Sequence, residues 1–354
     1  MAQRTHRSPT WDAALALSCT SSNSDAVSSP KSFTSADLVK ARRVAGVSLA
    51  VGDGGTLVIL GPSGAGKTSL LRLLAGLEDP DSGCIRLDGN DVTKLPARDR
   101  CVALVSQDDS LFPHLTLYQN LAFPMRLRRT ARAQIERAVV EQAKLLEIDR
   151  YLHVRPAQVS GGERQRAALA RALLSGPRVI LLDEPFAHLD PQLRANVRSQ
   201  FRDARRRFSG AAIHVTHDHG EAMAIGDRLA IMIAGRIVQC GDPQTVYDFP
   251  ASLDVARFFG SPPMNVLEDE SPIAGIRPEH VVVDGDGPLR GVVEETETIG
   301  PDALLRVRTP RGCIVVRVLR DSVGSAPAAG SHVGLRFPPR FVRRFDRATG
   351  LLIE

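Results

Sequence analysis

The sequence has no apolar run that approaches the ~18 residues needed for a membrane-spanning helix. Its five cysteines, at positions 19, 84, 101, 240 and 313, include no C-x-x-C pair, so they predict scattered, reduced thiols of a cytosolic protein. The formal net charge is only +5 and the arginines are dispersed, which is typical of solvated helix faces. We therefore expect no membrane-spanning segment, no disulfides and no nucleic-acid partner.

The first 32 residues are rich in serine and threonine and show no helix or strand period. They predict either a disordered leader or a start codon placed too early. The run Ala13–Cys19 faintly resembles a lipoprotein signal, but it follows Asp12 and its apolar core is very short. We interpret residues 1–32 as a disordered leader and not as an export signal.

A glycine-rich stretch at residues 61–68 matches the pattern G-x-x-x-x-G-K-[ST] of a nucleotide-binding phosphate loop. A strand candidate, Thr56–Leu60, precedes it, and a helix candidate, Ser69–Ala75, follows with its positive end toward the loop. Glycines let backbone N–H groups surround the β-phosphate, the lysine neutralises phosphate charge and the threonine hydroxyl binds Mg²⁺. The predicted ATP-binding residues are Gly61, Pro62, Ser63, Gly64, Ala65, Gly66, Lys67, Thr68 and Ser69.

A second motif lies downstream, where the apolar run Val179–Leu182 ends in Asp183 and Glu184. Such a run alone would indicate only a strand that ends in an exposed acidic turn. Together with a phosphate loop it is typical of a Walker B motif. Asp183 is then predicted to hold Mg²⁺ through water, and Glu184 to orient and polarise the attacking water.

A third motif, Ser160-Gly161-Gly162-Glu163, opens a helix candidate that reaches Leu174. Beside both Walker motifs, it resembles the signature loop of the ATPase subunits of ABC transporters. Ser160 is a suitable N-cap, and two glycines permit close approach of the backbone to an anion. The resemblance implies that this helix directs its dipole at the γ-phosphate held by another protomer, so a complete ATP site needs a homodimer or heterodimer of ATPase subunits.

The resemblance assigns further positions. Gln107 corresponds to the Q-loop glutamine that senses Mg²⁺ and the attacking water, and His217 to the switch histidine that contacts the γ-phosphate. Asp190 belongs to the D-loop, where Ala187 replaces the usual serine and one cross-dimer hydrogen bond is expected to be missing. The implied catalytic residues are Glu184, His217 and Gln107, and the implied Mg²⁺ ligands are Thr68, Gln107 and Asp183.

The expected adenine-stacking ring is missing. Relatives carry an aromatic residue soon after the first strand, but residues 38–45 contain none. Either Arg42 or Arg43 stacks on adenine, or the base is held loosely. Stacking contributes roughly 1–3 kcal/mol per base in nucleic-acid binders, so nucleotide binding is expected to be weaker but not abolished.

Residues 108–175 mix apolar and charged residues at helix-like spacing and predict a helical subdomain. In the family, the adjacent cleft receives a short helix of the membrane subunit. The candidate docking residues are Leu111, Phe112, Pro113 and Leu117. Simple core burial is an equally good interpretation of each.

After Met232, short alternating strands predict a small β-barrel or sandwich. The segments Gly260–Asn265 and Gly275–His280 resemble parts of the maltose and sn-glycerol-3-phosphate importer ATPases, whose C-terminal part is an OB-like (TOBE-type) regulatory domain. Only residues 266–274 separate these segments, fewer than relatives usually have. We therefore expect the first strand of that domain to be missing.

The resemblance implies an α/β fold: a P-loop ABC ATPase core at residues 33–242, then a linker and an OB-like regulatory domain at 243–354. It implies ATP- and Mg²⁺-dependent hydrolysis that powers import of sugars or sn-glycerol-3-phosphate. The ATPase would lie at the cytoplasmic face of the inner membrane, under two transmembrane permease subunits fed by a substrate-binding protein. Importers of polyamine, sulfate or iron remain alternatives; a soluble ABC ATPase is disfavoured, because no coiled-coil insertion or second cassette is visible.

Overall fold

The computed structural model describes residues 32–353, apart from 42, 107–110, 188, 190, 269–270 and 320–325. The predicted leader therefore lies outside the described residues, except for Ser32. The chain divides into two compact units, one ending at Pro243 and the other starting at Gln244. In the described part of the chain, no helix is both long and apolar enough to span a bilayer.

The first unit contains a four-stranded antiparallel sheet with the strand order β2-β1-β4-β5. Along the second strand, Val47, Leu49 and Val51 are buried and alternate with less buried residues, as in a sheet with one face on a core. The strands are β1 (Ser32–Lys40), β2 (Val44–Gly52), β4 (Ser82–Leu87) and β5 (Asn90–Asp91).

A six-stranded sheet with the order β10-β9-β3-β8-β7-β6 carries the nucleotide motifs. Its strands are β3 (Thr56–Leu60), β6 (Val102–Val105), β7 (Val179–Asp183), β8 (Ala211–Thr216), β9 (Arg228–Ile233) and β10 (Arg236–Gly241). All neighbours pair in parallel except β10 with β9. Every residue of β3, β7 and β8 is buried, as expected of parallel strands covered on both faces.

Helices connect these strands. They are α1 (Lys67–Ala75), α2 (Leu117–Leu127), α3 (Arg132–Leu145), α4 (Gly161–Leu174), α5 (Pro191–Arg207) and α6 (His219–Ile225). The leucines of α1 are fully buried in a core that joins both sheets. The three helices α2, α3 and α4, which lie between β6 and β7 in the chain, pack against one another. Thr116 begins α2 with a capping box, in which its hydroxyl accepts from the Gln119 N–H and the Gln119 side chain accepts from the Thr116 N–H.

The second unit is mostly antiparallel β-structure around its own apolar core. The helices α7 (Pro243–Asp248) and α8 (Leu253–Phe258) lead into it. A five-stranded sheet, β13-β17-β14-β15-β16, contains β13 (Val282–Val283), β14 (Leu289–Ile299), β15 (Asp302–Thr309), β16 (Gly312–Leu319) and β17 (His332–Arg336). A three-stranded sheet, β11-β12-β18, contains β11 (Asn265–Leu267), β12 (Ile273–Ile276) and β18 (Arg343–Phe345).

The short interval at residues 266–274 contains the end of one strand and the start of the next, because Asn265–Leu267 pairs antiparallel with Ile273–Ile276. The loss of a first strand relative to the importer ATPases stays a prediction. The Asn265 side chain also bonds to β16, donating to the Val315 carbonyl and accepting from the Val315 N–H, each at 2.8 Å.

Candidate ATP site

The predicted motifs meet at one edge of the six-stranded sheet. Strands β3, β8 and β7 are parallel neighbours, so the residues after Leu60, Thr216 and Leu182 lie side by side at their carboxyl ends. This is the edge at which open α/β sheets bind ligands. Strand β6 ends there too, but the predicted Gln107 lies outside the described residues, as do Asp190 and its neighbour His188.

The phosphate loop depends on glycine for two separate reasons. A Cβ on Gly61 would lie 2.2 Å from the Met232 carbonyl oxygen, and one on Gly66 would lie 2.1 Å from that of Arg43. At these two positions another part of the backbone comes so close that a side chain does not fit, so glycine is required. Gly64 has φ +79° with nothing within 4 Å of its Cβ position, so it serves a left-handed turn that faces open space. The loop is thus tightly packed beneath and open above, which suits a ligand held by backbone N–H groups.

Lys67, the first residue of α1, is only 5% exposed. Its ammonium donates to the carbonyls of Gly61 (2.8 Å) and Pro62 (2.9 Å) and lies 4.0 Å from the Glu184 Oε1. Burial lowers the pKa of Lys67, and the carboxylates of Glu184 and Asp183 oppose that shift. A phosphate is a stronger acceptor for an ammonium than a neutral carbonyl, so the arrangement favours transfer of these bonds to a bound nucleotide.

Thr68 and Asp183 form the second contact of the site. The Thr68 hydroxyl donates to the Asp183 Oδ1 at 3.1 Å. Burial raises the pKa of Asp183. The hydrogen bond from Thr68 lowers this pKa, and the nearby charge of Glu184 raises it. A bound cation would relieve the cost of this buried carboxylate. A hydroxyl and a carboxylate oxygen are ligands that Mg²⁺ accepts, so the pair fits the predicted metal.

Glu184 is held between Lys67 and His217. Its Oε2 lies 3.0 Å from the His217 Nδ1, and its other oxygen, Oε1, makes the contact with Lys67. Its backbone has φ +47° and its N–H donates to the Val215 carbonyl at 3.0 Å. A non-glycine residue in this region costs about 1–3 kcal/mol, a strain that concentrates at functional sites. His217 is 55% exposed, so the pair can be reached by water and substrate.

The signature loop begins α4. The Ser160 N–H donates to the Glu163 carboxylate at 2.8 Å, and the Glu163 N–H donates to the Ser160 hydroxyl at 3.4 Å, which forms a capping box. Burial alone would raise the pKa of Glu163, but hydrogen bonds from the Tyr151 hydroxyl and from Ser160 lower it. At Gly161 a Cβ would come no closer than 3.7 Å to Arg164, so the loop surface is open.

Comparison with known proteins decides the family. The model of the family described as ABC transporter matches residues 44–187, and that described as TOBE domain matches residues 274–345. The chain is 37% identical to the trehalose/maltose import ATP-binding protein MalK of Thermococcus litoralis, over 87% of this chain and 94% of the relative. It is 40% identical to the sn-glycerol-3-phosphate import ATP-binding protein UgpC of Psychromonas ingrahamii, over 87% and 90%. The chain belongs to the ABC transporter ATPases.

A solved structure supports the same assignment. The ATP-binding cassette MJ0796, described as a dimer in a post-hydrolysis state bound to ADP and Pi, matches with a TM-score of 0.54 and 26% identity. The match covers 60% of this chain and 98% of that one. The predicted ABC ATPase fold with a C-terminal TOBE domain is therefore confirmed, and as an ABC ATPase the chain binds and hydrolyses ATP.

The other candidate residues of this ABC ATPase differ in how exposed they are. Leu117 is fully buried, so it belongs to the core and not to a docking surface, whereas Phe112 lines an open groove. Arg43 is half-exposed and lies 3.7 Å from Glu78, while Arg42 lies outside the described residues. Sequence reasoning missed Tyr151, because its bond to Glu163 joins two segments whose relative placement no local pattern reveals.

Lys67→Ala is expected to weaken ATP binding by about 10- to 150-fold, because it removes a hydrogen bond to a charged group worth roughly 1.5–3 kcal/mol. Titration of the full-length ABC ATPase with fluorescent ATP measures this. Lys144→Ala, at an exposed position on α3, is the matched control and should bind like the parent. Unchanged affinity of Lys67→Ala would contradict the assignment of the phosphate loop.

Proposed function

We propose that this chain is the ATP-hydrolysing subunit of a bacterial importer for sugars or sn-glycerol-3-phosphate, and that it works as a dimer beneath two membrane subunits. The observation that carries the proposal is the Lys67–Glu184–His217 arrangement at the strand ends, beside the Thr68–Asp183 pair. The functions of the relatives, trehalose/maltose import and sn-glycerol-3-phosphate import, support the cargo class.

The chemistry follows from the positions of these side chains. Lys67 and the loop backbone hold the β- and γ-phosphates, and Thr68 and Asp183 would supply oxygen ligands for Mg²⁺. The metal, when bound, neutralises charge that develops on the phosphate oxygens. Glu184 accepts a hydrogen bond from the attacking water and polarises it. His217 fixes the orientation of Glu184 and reaches toward the γ-phosphate.

The signature loop completes the site of the partner protomer in this proposal. The Ser160 hydroxyl and the amides that follow it lie at the positive end of the 14-residue helix α4. In a two-fold dimer, each loop faces the nucleotide held by the other chain. ATP then closes the dimer by bridging both chains, and hydrolysis removes the bridging charge and reopens it.

The membrane subunits are proposed to dock in a groove of about 320 Å³ among β6, α2 and α4. Phe112, Phe123 and Leu127 line it, and Leu127 is 69% exposed. The Arg171 guanidinium lies 5.4 Å from the centre of the Phe112 ring, also in the groove wall. An apolar surface beside a cation suits a short amphipathic helix with an acidic residue.

Reconstituted transport tests this function. The chain, assembled in vesicles with its membrane subunits and binding protein, is expected to drive ATP-dependent uptake of labelled maltose, trehalose or sn-glycerol-3-phosphate. Leu127→Asp should abolish assembly and uptake while leaving ATP binding intact. Val140→Asp, on an exposed face of α3 outside the groove, is the control. Uptake of polyamine, sulfate or iron instead would reassign the cargo, and ATP hydrolysis without any uptake would contradict the role in import.

The C-terminal domain is proposed to regulate or support the dimer. The predicted ATP-site residues precede Gln244, where the second unit begins. A chain ending near Asp242 is expected to keep its nucleotide affinity and to change in assembly or transport, as measured by ATP titration and vesicle uptake. Insolubility at several neighbouring endpoints would instead show that the domain covers apolar surface. Full transport with unchanged assembly would contradict both roles.

A further inference from the structure

Two buried polar residues behind the site have no part in the mechanism so far. His214 on β8 is fully buried, and Glu221 on α6 is 2% exposed. The His214 Nε2 lies 3.2 Å from the Glu221 Oε2. Because an ionised carboxylate only accepts, we assign the tautomer in which the His214 Nε2 is the donor. The His214 Nδ1 has no hydrogen-bond partner in the described part of the chain. The imidazole therefore contributes one directed hydrogen bond.

That bond belongs to a closed network around His217. The Thr216 hydroxyl donates to the same Glu221 oxygen at 2.7 Å and accepts from the Asp218 N–H at 3.0 Å. The Asp218 Oδ1 accepts from the Glu221 N–H at 2.8 Å, which caps α6 and closes the ring. The two residues that flank His217 are thus both held through Glu221.

The network also reaches the segment after Glu184. The His214 ring lies 5.6 Å from that of Phe186, which follows Glu184 by two residues, and 6.5 Å from that of Phe201 on α5. On the other side, Arg194 donates to the Asp218 carboxylate and to the Leu189 carbonyl, each at 3.0 Å. The loop with His217 and the chain after Glu184 therefore rest on the same buried groups.

We infer that His214 and Glu221 are positioning residues of the ATPase reaction, which hold the loop of His217 so that its imidazole meets Glu184. The inference rests on the proposed roles of His217 and Glu184. Hydrogen bonds between buried polar groups favour one arrangement of those groups, and loss of one donor leaves a buried acceptor unsatisfied. Without the His214 N–H, the Glu221 carboxylate loses one of its hydrogen-bond donors. We then expect Glu221 to shift, and Thr216 and Asp218, which it holds, to shift with it.

His214→Phe tests the inference, because the ring shape stays and the donor is lost. We expect kcat to fall about 10- to 100-fold, the range for a small displacement of a reacting group, with little change in KM for ATP. His214→Gln can place an amide N–H near the former Nε2 and should restore most of the rate. Phe201→Leu changes the packing on the same ring outside the network, so it should lower the melting temperature and leave kcat near that of the parent.

A double-mutant cycle separates positioning from general damage. If His214 acts through His217, His214→Phe has no further effect on single-turnover hydrolysis in the His217→Ala chain. Equal fractional losses in both backgrounds, or no rescue by His214→Gln, would overturn the inference. If His214→Phe does not fold, Glu221→Gln keeps an acceptor oxygen and should give the same non-additive pattern with a smaller loss. The proposed function is judged separately: it fails if His217→Ala or Glu184→Gln hydrolyses ATP normally, whatever the cycle gives.

Discussion

Glu184→Gln is expected to bind ATP with the affinity of the parent and to lose steady-state hydrolysis by about 10²–10⁴-fold, the usual contribution of a general base. The amide keeps the shape of the side chain and its contact with His217, but it cannot take a proton from water. The loop that holds the phosphates is untouched. A phosphate-release assay of the full-length chain, with and without its membrane partners, measures the rate, and ATP titration measures the affinity.

The control for this change is Glu136→Gln on α3, where the carboxylate is exposed and pairs with Arg132 at 2.9 Å. Its turnover should match that of the parent. Near-normal turnover of Glu184→Gln would exclude Glu184 as the residue that polarises water. Loss of ATP affinity in Glu184→Gln would indicate instead that the carboxylate supports Lys67, which lies 4.0 Å away.

Ser160→Arg is expected to abolish the ATP-dependent dimer while each chain still binds ATP. The loop surface at Ser160 and Gly161 is open in the single chain, so an arginine fits there, but it fills the space that the partner's nucleotide needs. Light scattering in the Glu184→Gln background measures the effect, because slow hydrolysis preserves the closed dimer. Gln134→Arg adds the same side chain at an exposed position on α3 and should leave the dimer intact. Persistence of the dimer in the Ser160→Arg chain would contradict the proposed role of the signature loop.

The parts of the site that sequence predicts well are those in which local geometry determines residue type. Gly61 and Gly66 are required because their Cβ positions are filled by the carbonyls of Met232 and Arg43, and a glycine pattern records that requirement. Asp183 and Glu184 follow a fully buried strand, and parallel strands bring their carboxyl ends to one edge. The meeting of Lys67, Glu184 and His217 could therefore be predicted without coordinates.

The parts that sequence reasoning missed depend on contacts between distant or non-patterned residues. The left-handed backbone of Glu184 could not be predicted from the residue type, because glutamate rarely adopts this conformation. In the sequence, His214 is an isolated histidine within an otherwise apolar strand, which indicates no particular role. Only the placement of α6 shows that Glu221 is its partner. In the C-terminal sheet, alternation in β15 predicts a strand, but the insertion of β17 between β13 and β14 is a long-range pairing that no local pattern encodes.

Mixing two inactive chains tests the central claim, that each ATP site is built from the phosphate loop of one protomer and the signature loop of the other. Lys67→Ala lacks a working phosphate loop and Ser160→Arg lacks a working signature loop, so neither hydrolyses ATP alone. In a mixed dimer, the intact phosphate loop of the Ser160→Arg chain faces the intact signature loop of the Lys67→Ala chain. An equimolar mixture should therefore recover hydrolysis, to at most about a quarter of the parent rate, since half of the dimers are mixed and each has one complete site. Hydrolysis by either chain alone at the parent rate, or mixed dimers that form with ATP and do not hydrolyse it, would contradict the account.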